Sequence, residues 1–205
     1  MKRHLVIFAR APQLGRVKRR LAAEIGLMAA TRFYRAILAA EIRRLANDRR
    51  WTAWLFVTPD GSLTHPAWCG LVRRSRRRPQ GAGDLGQRMK LPFQVLPAGP
   101  VVLVGSDIPA LHAGHVAHAF RLLGRNDLVF GPASDGGFWL VGARRIKALP
   151  RALFVGVRWS TAQALADTLA GLPSGYSIGL ADTLDDVDDA RDLQHLQITS
   201  PGRSA

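Results

Sequence analysis

"VVLVGSDIPALH", residues 101–112, passes from four consecutive apolar residues into a Gly-Ser-Asp turn and on toward a helical segment. Four unbroken apolar residues bounded by turn signals fit a strand buried on both faces. Such a strand needs helices above and below it, and the chain on either side alternates accordingly. Upstream, His4–Ala9 is a second short apolar strand, followed by a Pro/Gly loop through Gly15. Apolar residues then recur at helical spacing from Val17 to Leu45, with a break near Gly26. Trp54–Thr58 reads as a strand closed by Pro59-Asp60-Gly61, and residues 61–83 as irregular, with one short strand around Leu71–Arg73. Leu85–Val95 is predicted to be a helix that Pro92 disturbs.

Downstream, the pattern predicts a helix from about His112 to Leu123 and strands at Asp127–Phe130 and Phe138–Val141. Ser160-Thr161 look like the N-cap region of a helix over Ala162–Leu169. A strand at Tyr176–Leu180 then leads into a last helix ending near Leu196. Short apolar strands alternating with amphipathic helices give an α/β class: one domain over 1–198, a mainly parallel sheet with helices on both faces, and a disordered tail at 199–205. In such sheets ligands sit beyond the carboxyl ends of the strands.

Composition narrows the classes of function. The chain has 205 residues and a net charge of +14, most of the basic excess being arginine. No apolar run reaches the roughly 18 residues a membrane span needs. The apolar stretch after Met1-Lys2-Arg3 is too short for a signal peptide, so a cytoplasmic protein is expected. The single cysteine, Cys69, excludes an internal disulfide and a cysteine-cluster metal site. The dense run Arg73, Arg74, Arg76, Arg77 and Arg78 would attract any polyanion. It lacks a zinc-finger spacing, an RNA-recognition signature or interleaved aromatics, so it reads as a solvated basic face. A non-catalytic nucleic-acid-binding protein using this surface stands as the alternative to an enzyme acting on anionic substrates.

Four constellations could carry chemistry. Asp107 stands beyond the Val101–Val104 strand, where its carboxylate could help hold a hard cation such as Mg²⁺ or cap the following helix. Asp182, Asp185, Asp186, Asp188, Asp189 and Asp192 form an acidic island that helix capping explains only in part. Asp188 with Asp107 could complete a two-carboxylate metal site. The loop from Arg10 through Gly15 to Arg20 joins a glycine turn, several cations and a helix start, suiting either a phosphate or a basic surface. Gly81-Ala82-Gly83-Asp84-Leu85-Gly86 matches G-x-G-x-x-G, but it does not follow a strand opening a βαβ unit, so the dinucleotide reading is rejected. Its glycines could still let a ring or a phosphate approach the backbone. His112, His115 and His118 recur every three residues and read as ordinary helix positions. The stretch "GPASDGGFWLVG" (131–142) sets Asp135, Gly136 and Gly137 between two apolar runs, as a tight turn or as the wall of a site.

Read in order, "GRVKRRL" (15–21), "GDLGQRM" (83–89), "VGSDIPAL" (104–111), "GPASDGGFWL" (131–140), "RWST" (158–161) and "DVDDARDL" (186–193) resemble the bacterial glycosyltransferase-like family, a former domain of unknown function of the DUF2064 type. That family is related to the 2-phospholactate guanylyltransferases and to the nucleotide-diphospho-sugar transferases of GT-A fold. The resemblance runs from about residue 4 to 196. It implies a Mg²⁺- or Mn²⁺-dependent transferase with a nucleotide or nucleotide-sugar donor and a small acceptor, the basic surface favouring an anionic one. It implies that Lys18, with Arg10 and Gly15, holds nucleotide phosphates, and that Gly83, Asp84 and Gly86 border the base or ribose. Asp107 and Asp188 would be the metal ligands. Asp135, Gly136 and Gly137 would face the acceptor or transferred group, with Trp159, Ser160 and Thr161 on the same side. Lys18, Asp107 and Asp135 are the expected catalytic residues. The chain departs from the family pattern at Arg10, Arg19, Phe138, Ala190 and Arg191.

Overall fold

The computed structural model describes residues 1–71, 76–187, 189 and 192. Seven strands form one sheet: β1 (His4–Arg10), β2 (Thr52–Thr58), β3 (Arg76–Pro79), β4 (Val101–Val104), β5 (Leu128–Pro132), β6 (Phe138–Ala143) and β7 (Ile178–Leu180). Their order is β3-β2-β1-β4-β6-β5-β7. β1 pairs in parallel with β2 and β4, β2 with β3, and β5 with β7. Only β6 runs against its neighbours, β4 and β5. The mainly parallel sheet expected from the apolar runs is therefore present, with one reversed strand that the sequence pattern did not distinguish.

Among the described residues five α-helices accompany it: α1 (Arg19–Ile25), α2 (Leu27–Ala46), α3 (Leu85–Val95), α4 (Ala113–Leu122) and α5 (Ala164–Ala170). Alternate strand residues divide between two cores, as the two-residue period of a strand requires. Leu5, Ile7, Leu55 and Val102 pack on one face with Leu38 and Ile42 of α2 and Phe120 of α4. Val6, Phe56, Leu103 and Val141 pack on the other with Met89 and Phe93 of α3, Leu165 of α5 and Phe154.

Several local expectations change. Residues 72 and 73 of the short strand expected around Leu71–Arg73 lie outside the described residues; a strand that was not expected, β3, runs over Arg76–Pro79, where Arg76 and Arg78 lie over the Trp54 ring at 4.9 and 5.4 Å. Arg77 donates to the Leu63 and Trp68 carbonyls. The described part of the arginine run is thus engaged in packing an edge strand. α3 continues through Pro92, which is buried. Helix α5 starts at Ala164 with Gln163 as its N-cap, not at Ser160-Thr161. The expected last helix, the tail 199–205, and Asp188 lie outside the described residues.

Candidate functional site at the carboxyl ends of β1 and β4

Two loops leave the parallel strands side by side and build the centre of the site. After β1, Gly15 turns at φ +70° and Lys18 takes the left-handed conformation at φ +45°, directly before α1. After β4, Gly105-Ser106-Asp107 reaches back toward it. The Lys18 ammonium lies 2.5 Å from Asp107 Oδ2 and 3.9 Å from Asp186 Oδ2, and the lysine side chain is 6% exposed. The sequence pointed to Asp107 and Lys18 separately; the fold joins them. The member of the acidic island that the described structure brings here is Asp186.

Buried groups support both loops from below. The Tyr34 hydroxyl of α2 donates to the Arg10 carbonyl at 3.0 Å and accepts from the Arg10 amide at 3.1 Å. It also lies 3.3 Å from Ser106 Oγ. Burial, reinforced by the Asp107 charge, pushes this phenol up to about 12. Glu41, two helical turns further at the i+7 position, accepts from the Ile108 amide through Oε2 at 3.4 Å. It is fully buried, its Oε1 is without a hydrogen-bond partner, and burial raises its carboxyl well above the usual glutamate range. Neither residue carried a sequence signal beyond its place on an amphipathic helix.

Two cavities meet at Asp107 and Ser160. One, of about 490 Å³, is lined by Arg10, Arg16, Lys18, Arg19 and Arg20, with Tyr34 at its base. The other, of about 260 Å³, is walled largely by apolar side chains, among them Phe8, Leu85, Met89, Phe138 and Trp159. Its described charged lining consists of Asp107, Asp135 and Asp186.

The β5–β6 hairpin forms one wall of the second cavity. Asp135 accepts from the Gly137 amide at 2.8 Å, and the Ala133 amide donates to Gly137 at 3.0 Å, closing a tight turn. Gly136, at φ +83°, lies flush against the Ala162 backbone, so a Cβ there would collide with it. Turn and wall are therefore the same feature. Across the cavity, Asp167 accepts three hydrogen bonds from the Arg158 amide and guanidinium, which hold its carboxyl down at about 2. That clamp fixes the Trp159-Ser160-Thr161 loop, in which Ser160 has φ +60°. Trp159 meets Phe138 edge-on at 6.2 Å.

The 81–86 glycines have local structural roles. Asp84 and Gln87 form a reciprocal capping box at the start of α3, and a Cβ on Gly83 would meet the Gln87 side chain. Gly86 packs against Phe154 and Trp159. His112 and His115 cap α4, His112 accepting from the Gly114 amide and His115 from the His112 amide, while His118, within the helix, lies 3.0 Å from Asp182.

Among the described residues, no three Asp, Glu, His or Cys side chains cluster as a metal-ligand set. The pair Asp107 and Asp186 is nonetheless suited to Mg²⁺ or Mn²⁺, which accepts one or two carboxylates and fills its other positions with phosphate and water oxygens. The pair already flanks one cation, the Lys18 ammonium.

Known structures share this architecture. A 4-diphosphocytidyl-2C-methyl-D-erythritol synthase from Anaerococcus prevotii superposes with a TM-score of 0.61 at 8% identity, covering 97% of each chain. Rv0371C of Mycobacterium tuberculosis, solved as a complex with manganese, gives 0.54 at 14% identity, covering 98% of this chain and all of that one. At these identities the likeness is one of fold. A Desulfovibrio desulfuricans G20 protein described as a "putative nucleotide-diphospho-sugar transferase" is nearer, with a TM-score of 0.90 and 30% identity over 100% of this chain and 90% of that one. No curated protein matches the chain. Residues 41–161 match the family described as "Uncharacterized protein conserved in bacteria (DUF2064)". The chain belongs to this bacterial family, on a nucleotide-diphospho-sugar transferase fold.

Proposed function

We infer that the protein is a divalent-metal-dependent transferase that uses a nucleotide or nucleotide-sugar donor. The observation that carries this reading is the joined pair of cavities, one cationic and one apolar, meeting at Asp107 beyond the carboxyl ends of β1 and β4. The transferase names of proteins sharing the fold support it.

In this reading Lys18, Arg10 and Arg16 bind the donor's phosphates, aided by amides of the Gly15–Arg19 turn. Gly83, Asp84 and Gly86 border the nucleoside. Asp107 and Asp186, with Asp188 as the further candidate, would hold Mg²⁺ or Mn²⁺, whose role is to neutralise and orient a diphosphate. The Lys18 ammonium balances charge that gathers on the leaving phosphate oxygen. Asp135 faces the acceptor from the hairpin, with Gly136, Gly137, Trp159, Ser160 and Thr161 shaping the space around it. The acceptor hydroxyl oxygen bonds to the transferred carbon or phosphorus as the bond to the leaving phosphate oxygen breaks. The electron pair leaves with the phosphate and the hydroxyl proton passes to Asp135.

Thermal unfolding against a panel of nucleoside triphosphates and nucleotide sugars, with and without Mg²⁺ or Mn²⁺, tests the reading. A donor at 100 times its Kd adds about 2.7 kcal/mol of stability. Asp107→Ala is expected to remove the metal-dependent part of the shift. A panel without any shift, or a metal-dependent shift untouched by Asp107→Ala, overturns it.

A further inference from the structure

The charges of the site are segregated. Five cationic side chains line the larger cavity, of about 490 Å³. Among the described residues, the adjoining cavity takes no Lys, Arg or His into its lining, and its charges are three carboxylates. Asp107 and Asp186 sit at the Lys18 junction between the two spaces. Asp135 does not: among the described residues its side chain accepts from the Gly137 amide within its own turn. The remaining wall is apolar, and Leu85 is 38% exposed there although it is a large aliphatic side chain. At about 260 Å³ the space matches a single ring-sized group.

These features select by charge as well as by shape. An anionic group placed against Phe138, Trp159 and Met89 would lose hydration, gain no described cationic partner, and face Asp135. A neutral group with an apolar face gains contact with the aromatic wall and gives up little. A cation bound between Asp107 and Asp186 would change the junction but not the hairpin side of the cavity.

We propose that the cavity beside Asp135 takes the non-nucleotide reactant as an uncharged, ring-bearing group, and that Asp135 is the residue that turns away phosphorylated or carboxylated ones. The substrate class follows on the functional reading above: a donor whose anionic part is confined to the nucleotide phosphates, and a transferred or accepting group without phosphate or carboxylate. This differs from what the net charge of +14 suggests, because the basic excess is not distributed into this space.

The three methionines give a direct reporter. Met89 lines the cavity, whereas Met28 and Met1 are exposed elsewhere. Protein labelled with ¹³C at the methionine methyls is titrated with benzyl alcohol, benzylamine and benzoate near neutral pH and low salt. Met89→Leu, a volume-conserving change, assigns the signal. Benzyl alcohol is expected to shift the Met89 methyl saturably and leave Met28 unmoved, with benzylamine at least as effective. Benzoate is expected to need about fivefold more ligand for half-saturation, the size of one like-charge contact at about 4 Å in a water-like dielectric. That gap should close in high salt and in Asp135→Asn.

Benzoate binding as well as the alcohol, a gap that survives Asp135→Asn, benzylamine as poor as benzoate, or no Met89 shift with any probe each overturns the proposal. Titration of the panel of nucleoside triphosphates and nucleotide sugars with Mg²⁺ on the same sample separates the two readings. Failure of every nucleotide sinks the donor assignment, whatever the aromatic probes do. Nucleotide binding with the wrong aromatic preference sinks only the charge filter.

Discussion

Glu41 is buried on the far side of the Asp107 loop, holding the Ile108 amide while its other oxygen is without a hydrogen-bond partner. Burial raises its carboxyl, with the Asp107 charge adding to the effect, so the folded protein binds this proton more tightly than the unfolded chain does. Its contribution to stability is therefore full below the unfolded value of 4.5 and declines as pH rises from there toward the folded value. While the folded state is protonated and the unfolded state ionised, the decline is about 1.4 kcal/mol per pH unit. Glu41→Gln keeps an acceptor for Ile108 but cannot ionise. The stability difference between variant and wild type, measured by urea unfolding at pH 5 and pH 7, should move in the variant's favour at the higher pH. Parallel pH curves would show that Glu41 is ionised in the folded protein.

Among the elements, the β5–β6 hairpin depends on one glycine for its docking. The Gly136 carbonyl accepts from the Leu165 amide at 3.0 Å, tying the turn to the start of α5. Its φ of +83° and its contact with Ala162 leave no room for a side chain. Gly136→Ala should cost ~2 kcal/mol or more in denaturant unfolding and shift the walls around Asp135. Gly175, with open space around it, is the matched control whose alanine variant should be near neutral. A Gly136→Ala protein as stable as that control would mean the hairpin is not anchored there. The sequence made this element readable because two apolar runs flank an Asp-Gly-Gly turn. It could not show that β6 runs antiparallel to β4, because a strand buried on both faces looks alike in either direction. Asp84 illustrates the opposite case: its glycine pattern resembles a ligand motif, yet spacing to Gln87 alone accounts for a capping box. Strand-end rules found Asp107, and the first loop suggested Lys18, but their pairing depends on β1 and β4 being neighbours. Sheet order is set by long-range packing and is not encoded locally. Tyr34 and Glu41 were illegible for the same reason, since a polar residue on a helix face declares a role only when its partner loop is known.

For the whole molecule, the distribution of charge matters more than its sum. A net charge of +14 would repel a divalent cation from most of the surface, whereas Asp107 and Asp186 converge at the centre of the site. The Lys18 ammonium, itself little exposed, lies between them before any ligand arrives, at 2.5 Å from Asp107 and 3.9 Å from Asp186. In the proposed reading, a metal ion serving the same carboxylates would have to compete with or displace that ammonium, and Lys18 would then be both a phosphate ligand and a brake on metal binding. Lys18→Met keeps most of the side-chain volume and removes the charge. Its unfolding free energy in EDTA is expected to fall by about 1–2 kcal/mol, after allowing for the partial exposure of both aspartates, with a lower melting temperature. Millimolar Mn²⁺ should then stabilise the variant more than it stabilises the wild type, while nucleotide-dependent stabilisation is weakened. The two responses move in opposite directions only if one residue serves both phosphate and carboxylates. Equal Mn²⁺ shifts in the two proteins would place the metal away from Lys18 and remove Asp107 and Asp186 as its ligands.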